Sequence, residues 1–207
     1  MKVQSPWSEL NEIVSFESGQ LLTVGAPTGV GRSLVAAKWA CHAAVDLELP
    51  VLLFSTEREA GEVMSRCAEG RGSDEGRRLR IINSTQVTTS EIRSDVERMI
   101  EWGEKPALLV VDHIDLVESD QGGTGDVSSD LKLLAMDFEI CVLATAQVSR
   151  RAESREPVPG DLRSDSAELS SDVVLFLHRD SDGAVVEGLV AKHRNGPRGL
   201  RVKLAGL

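Results

Sequence analysis

The window Ala26-Pro27-Thr28-Gly29-Val30-Gly31-Arg32-Ser33 has residue types and a spacing suited to holding phosphate. An apolar run that fits a buried strand (Leu21, Leu22, Val24) precedes it, and a helical pattern follows. The glycines at 25, 29 and 31 permit backbone angles at which successive N–H groups converge on an anion, and a helix N-terminus adds a favourable dipole. The spacing is that of the phosphate loop G-x-x-x-x-G-K-[ST], with two departures. Ala26 stands at the first glycine, and Arg32 stands at the lysine. The candidate phosphate contacts are Thr28, Gly29, Val30, Gly31, Arg32, Ser33 and Leu34, and the Ser33 hydroxyl is a candidate magnesium ligand. Arg32 keeps a positive charge but carries it on a planar fork rather than a compact ammonium. That serves binding better than turnover, because a misplacement of ~1 Å can cost about a hundredfold in rate.

Three more polar residues close apolar runs. Asp112 follows Ala107 to Val111, where a carboxylate can hold magnesium directly or through water. Glu57 follows Val51-Leu52-Leu53-Phe54-Ser55-Thr56 and is placed to orient or deprotonate an attacking water. Gln147 stands just beyond the run Ile140 to Thr145, where it could hydrogen-bond a γ-phosphate and report its loss. In open α/β sheets the carboxyl ends of the strands line one crevice, so these residues and the phosphate loop should meet there. Together they outline a site for ATP and Mg2+. Each also has a plainer reading: Asp112 as a strand or helix cap, Glu57 as a first-turn acid favoured by the helix dipole. Gln147 alone is uninformative.

The elements that must position these groups alternate. A helix over Ser33 to Leu47 ends before Pro50, and the strand Val51 to Ser55 leads into a helix opened by Thr56-Glu57-Arg58-Glu59. A weaker strand, Leu79 to Ile82, precedes an amphipathic helix over Thr89 to Trp102 whose Thr-Ser-Glu beginning suits an N-cap. The glycine-rich segment Glu118 to Ser129 reads as a loop, Leu131 to Phe138 as a helix, and the polar stretch Ser149 to Ser166 as a second loop. Val173 to His178, Val185 to Lys192 and Leu200 to Leu204 read as strands, with a hairpin turn at Asp180 to Gly183. The expected fold is α/β: a mainly parallel central sheet flanked by helices, with a C-terminal antiparallel hairpin extension.

A chain of 207 residues fits one domain, 1–207, with residues 1–19 as a lead-in containing a short helix docked at the edge. With 41% hydrophobic but only 3% aromatic residues and no tyrosine, aliphatic side chains must supply most of the packing. The formal net charge of -10 argues against coating nucleic acid by bulk electrostatics and leaves that role to local basic clusters. Cys41, Cys67 and Cys141 lie far apart without metal-ligand spacing, so they are expected to be reduced and mostly buried. No stretch reaches a membrane span, and the N-terminus lacks a signal-peptide core, which implies a cytoplasmic protein with no membrane partner.

The ordered motifs resemble the RecA-like P-loop NTPase domain at the C-terminal end of the DnaB family of hexameric replicative helicases. The matching segments are Ser5-Pro6-Trp7, Leu10-Asn11, the phosphate loop, Phe54-Ser55-Thr56-Glu57, Leu109 to Asp112 and Ala146-Gln147-Val148-Ser149-Arg150. They continue with Gly160-Asp161-Leu162-Arg163 and Lys192-His193-Arg194-Asn195-Gly196-Pro197. The resemblance implies that Arg194 is an arginine finger reaching a neighbour's ATP, with Lys192 its companion. It also implies that Glu118 to Ser129 and Arg150 to Arg163 face a channel, where Arg150, Arg151, Arg155 and Arg163 would touch single-stranded DNA. The plainer readings are a solvated strand end for Lys192 to Arg194 and a charge-balanced exposed loop for the arginines. The implied partners are single-stranded DNA and further copies of the chain in a ring, or a true helicase or recombinase that this chain regulates. A recombination-mediator ATPase of the wider RecA group is a third possibility. This sequence is expected to differ from the family in having no N-terminal helicase domain and linker helix, and it departs from it in its short acidic first loop with Asp120 and Asp126 and in Arg32.

Overall fold

Apolar runs without a polar face are what parallel strands covered on both sides require, and the chain assembles them into one sheet. The structure, a computed structural model, describes residues 1–55, 78–84, 86–119, 126–149, 155, 157–163, 165–179 and 186–207. In chain order the elements are α1 (Ser8–Ile13), β1 (Leu21–Ala26), α2 (Arg32–Cys41), β2 (Val51–Ser55), β3 (Leu79–Asn83), β4 (Val87–Thr88), α3 (Thr89–Glu101) and β5 (Leu108–Asp112). After them come β6 (Val117–Glu118), α4 (Val127–Asp137), β7 (Cys141–Gln147), α5 (Asp165–Ser170), β8 (Val173–Arg179), β9 (Val186–His193) and β10 (Leu200–Lys203). The main sheet has the order β10-β9-β8-β1-β7-β5-β2-β3. Pairing from β8 through β3 is parallel, while β9 and β10 are antiparallel additions. The mainly parallel sheet with its C-terminal antiparallel hairpin is the one expected.

Alternation along each strand divides the core into two layers. Leu22, Val24, Leu53, Val110 and Leu143 face α1 and α2, packing with Val35, Trp39 and Ala40. Leu52, Val111, Val142 and Phe176 face α3 and α4, where Ile92, Val96 and Met99 of α3 and Leu131 and Leu134 of α4 are buried. The α3 set follows the i, i+4, i+7 rule for one helix face.

Some boundaries differ from expectation. The lead-in is built into the core: Val3, Trp7, Leu10, Val14 and Phe16 are buried, and the rings of Trp7 and Phe16 meet Trp39 edge-on at 6.3 and 5.8 Å. The helix expected to run from Ser33 to Leu47 stays α-helical to Cys41 and widens to a π turn over His42–Asp46. The cap of α3 is Thr88, whose hydroxyl accepts the Glu91 N–H while the Glu91 carboxylate accepts the Thr88 N–H. Of the loop expected over Glu118 to Ser129, Glu118 belongs to β6 and Ser129 to α4, which Asp126 caps. The stretch read as one loop from Ser149 to Ser166 contains a bridge between Val148 and Leu162, a 3-10 turn at Pro159–Asp161 and the start of α5. The helix expected after Ser55, the hairpin turn at 180–183, and Cys67 lie outside the described residues. Cys41 and Cys141 are buried as expected, and burial pushes the Cys141 thiol up to about 12. Among the described residues, no helix is long and apolar enough to cross a membrane.

Candidate functional site

The strand order puts β1, β7, β5 and β2 side by side, so their carboxyl ends form one edge. The turn after β1 carries Gly29 and Gly31 at φ 82° and 108°, a region that favours glycine, and a Cβ on either would meet nothing within 4 Å. The phosphate loop therefore has open space in front of it. Helix α2 starts directly after, and its N-cap is Gly31, which has no side chain with which to bond the first-turn N–H groups. Those groups, on Arg32, Ser33 and Leu34, are the donors that a helix N-terminus presents to an anion. Gly25 serves packing instead: a Cβ there would lie 2.6 Å from the Phe176 ring and 2.9 Å from Leu162.

Across the edge, the Ser33 hydroxyl donates to Asp112 Oδ1 at 3.1 Å, and Thr145 Oγ1 donates to the same oxygen at 2.6 Å. Asp112 is 1% exposed and ends β5. Gln147 is the last residue of β7 rather than the residue beyond it. Its side-chain amide donates to Thr28 Oγ1 at 3.2 Å, and its backbone N–H donates to Asp115 Oδ2 at 2.9 Å. One hydroxyl and one carboxylate, both hard oxygen donors, suit Mg2+. The open loop and this donor pair fit a magnesium-bound nucleotide.

Arg32 does not project into the opening. It is 8% exposed, and its Nη1 turns back to donate to the Ala26 carbonyl at 3.4 Å. Glu57 lies outside the described residues, two positions beyond Ser55, which pairs with Asp112 in the sheet.

Lys192 and Arg194 are not brought to this edge. His193 pairs with Val173, and Val173 precedes the β8 residue aligned with Thr23, so the motif sits at the amino end of β1. That is roughly 16 Å along the strand from the loop at 3.3 Å per residue. Lys192 donates to the carbonyls of Glu168 and Leu169, and Arg194 donates to Leu169 and pairs with Asp172 at 3.3 Å. Burial, then the neighbouring Arg194 charge, holds the Lys192 ammonium below the usual lysine range.

Of the candidate DNA contacts, Arg150 and Arg151 lie outside the described residues. Arg155 forks onto Asp161 with bonds of 2.7 and 2.6 Å, which holds the Asp161 carboxyl below its ordinary range. Arg163 is exposed, and its N–H donates to the Gln147 carbonyl at 3.2 Å, tying that segment to the end of β7. Sequence reasoning missed Thr145, Asp115 and Asp172. Thr145 had a signal, being a hydroxyl inside an otherwise apolar run level with Asp112; Asp115 and Asp172 had none.

This fold and site define a RecA-like P-loop NTPase architecture. A model of the family described as DnaB-like helicase C terminal domain matches residues 72–205, and the chain belongs to that family. The replicative DNA helicase DnaB of Leifsonia xyli subsp. xyli is 31% identical over 94% of this chain and 52% of its own length. The chain spans about half the length of the curated relatives it matches. Among solved structures, a DnaB-like replicative helicase studied with primase superposes with a TM-score of 0.83 at 23% identity, over 99% of this chain and 59% of that one. The RadB recombinase superposes with a TM-score of 0.70 at 19% identity, over 97% of this chain and 94% of that one.

Proposed function

We propose that the chain is one ATPase domain, 1–207, that binds ATP with Mg2+ and acts in DNA replication, recombination or repair in the cytoplasm. The observation that carries this reading is the joining of Ser33, Asp112 and Thr145 beside an open glycine loop that Gln147 touches through Thr28. In this reading Thr28 to Leu34 hold the phosphates, Ser33 and Asp112 hold the metal, Glu57 orients the attacking water, and Gln147 senses the terminal phosphate. Bound Mg2+ would neutralise charge on the phosphates. Lys192 and Arg194, remote from the cradle of their own chain, would serve a neighbour's ATP in a homo-oligomeric ring, a hexamer by analogy with the family. Single-stranded DNA would lie against Arg150, Arg151, Arg155 and Arg163, with Arg155 exchanging Asp161 for phosphate.

The second reading is an ATP-regulated module that partners a true helicase or recombinase and hydrolyses little. The position of Arg32, turned back onto the Ala26 carbonyl, favours it. ATP turnover measured with and without single-stranded DNA separates the two. The first reading predicts slow, DNA-stimulated hydrolysis lost in Glu57→Gln and raised tenfold or more in Arg32→Lys. Wild type and Glu57→Gln giving the same background trace would leave the second reading, which requires measurable ATP binding without turnover. A strict monomer with and without ATP would remove the trans role of Arg194.

A further inference from the structure

Asp112, the last residue of β5, and Thr145, two residues before the end of the neighbouring parallel strand β7, lie on the face that looks toward α2. Leu108, Val110 and Asp112 alternate on β5 as Cys141, Leu143 and Thr145 do on β7, and Val111 pairs with Ala144 just before them. Thr145 is fully buried. Its Oγ1 stands 2.7 Å from the His113 N and 2.6 Å from Asp112 Oδ1. An amide N–H can only donate, so the hydroxyl accepts from His113 and its one proton goes to the carboxylate. His113 is itself at φ 71°, ψ 67°, a left-handed conformation uncommon outside glycine, and it starts the turn that carries Asp115 beneath the Gln147 N–H. One hydroxyl thus bonds both the carboxylate, which Ser33 also meets, and the kink after it.

We propose that Thr145 is a positioning residue that orients Asp112 toward the divalent metal, and through His113 and Asp115 ties that carboxylate to the sensor strand end. The inference rests on the reading of Asp112 as a metal ligand. A hydroxyl that merely satisfied buried groups would affect folding and leave metal affinity alone; groups that orient a ligand typically change that affinity by tenfold to a hundredfold, on the order seen for hydrogen bonds to ligating side chains.

The test titrates Mn2+, followed by electron paramagnetic resonance, into the full chain with bound ADP. Thr145→Val, nearly the same shape without the hydroxyl, is expected to weaken Mn2+ binding roughly tenfold to a hundredfold, with metal-free ADP affinity unchanged. Thr145→Ser is expected to bind Mn2+ like wild type. Asp112→Asn is the reference for the underlying reading. If it retains full Mn2+ affinity, that reading and the positioning role both fall. If it loses the metal while Thr145→Val does not, or if serine is as weak as valine, the positioning role alone is overturned. Should Thr145→Val not fold, the wild-type chain still decides: Mg2+ added to the ADP complex must shift the His113 amide proton resonance, and no shift overturns the proposal.

Discussion

Asp112 and Asp172 are both buried carboxylates of the same sheet, 1% and 4% exposed, and they stand at opposite ends of it. At the carboxyl end, Asp112 is met by the hydroxyls of Ser33 and Thr145. At the amino end, Asp172 accepts the Leu21 N–H at 2.9 Å and the Lys132 ammonium at 2.6 Å, and pairs with Arg194. Lys132 also donates to the Gly19 carbonyl, so α4, β1 and the end of β9 are pinned at one point. Neutral donors orient a carboxylate without cancelling its charge, whereas cations cancel it. The amino end is therefore closed on itself, and the carboxyl end keeps groups suited to a charged ligand. The same contrast bears on Arg194: in the isolated chain its guanidinium is already paired, so a trans role requires a neighbour's phosphates to compete with Asp172.

Removing each carboxylate in turn separates the two ends most strongly. Asp172→Ala leaves the half-buried Lys132 ammonium without its counter-ion, bonded to the Gly19 carbonyl alone, and the buried Leu21 N–H without its acceptor; losing one partner of a buried pair costs about 3–5 kcal/mol. Asp112→Asn keeps an oxygen for both hydroxyls, so its loss of stability should be far smaller, while Mg2+-dependent nucleotide binding should disappear. Urea unfolding of the two variants measures the first effect and calorimetric titration with ADP and Mg2+ the second. Equal losses of stability would erase the distinction between a structural and a ligand-facing end.

A matched pair of glycines tests the same contrast at smaller amplitude. Gly31 in the cradle and Gly19 before β1 both adopt positive φ, 108° and 83°, with open space where a Cβ would go. Alanine at either should cost about 1–2 kcal/mol from backbone strain alone. Only Gly31→Ala should also weaken ADP, by tenfold or more, because only that turn aims N–H groups at phosphate. If Gly19→Ala weakened ADP equally, the loop would owe its affinity to overall stability rather than to local geometry.

What could be read in the sequence follows from what each feature needs. Strands β1, β2 and β5 were legible because burial on both faces leaves unbroken apolar runs, and Asp112 and Gln147 because a polar residue closing such a run marks the functional edge. Helix α5 was not, since its six residues, Asp165–Ser170, sit inside a charged stretch and carry one buried apolar side chain, Ala167. Asp172 and Lys132 meet across 40 positions, and no local pattern encodes that pairing. The fold of Arg32 onto its own loop was equally hidden: its identity announced a departure, but the direction of its guanidinium depends on the packing around it.

The smallest effect concerns Lys192, where the closed end still holds a strained charge. Its ammonium is bonded to the carbonyls at the end of α5, yet burial and the nearby Arg194 keep its pKa below the ordinary value of 10.5. The folded chain thus binds fewer protons than the unfolded chain between that lowered value and the usual lysine range. Stability must rise with pH across that window, the sign opposite to a lysine stabilised by an acid. Lys192→Met should abolish the rise while leaving stability at neutral pH equal or slightly higher, because the methylenes still pack and no charge is buried. Unfolding free energies measured from neutral pH up to the lysine range in both chains check this. A flat wild-type profile, or a clear loss at neutral pH in Lys192→Met, would mean that the amino end uses this lysine as a strut beside Asp172, Lys132 and Arg194.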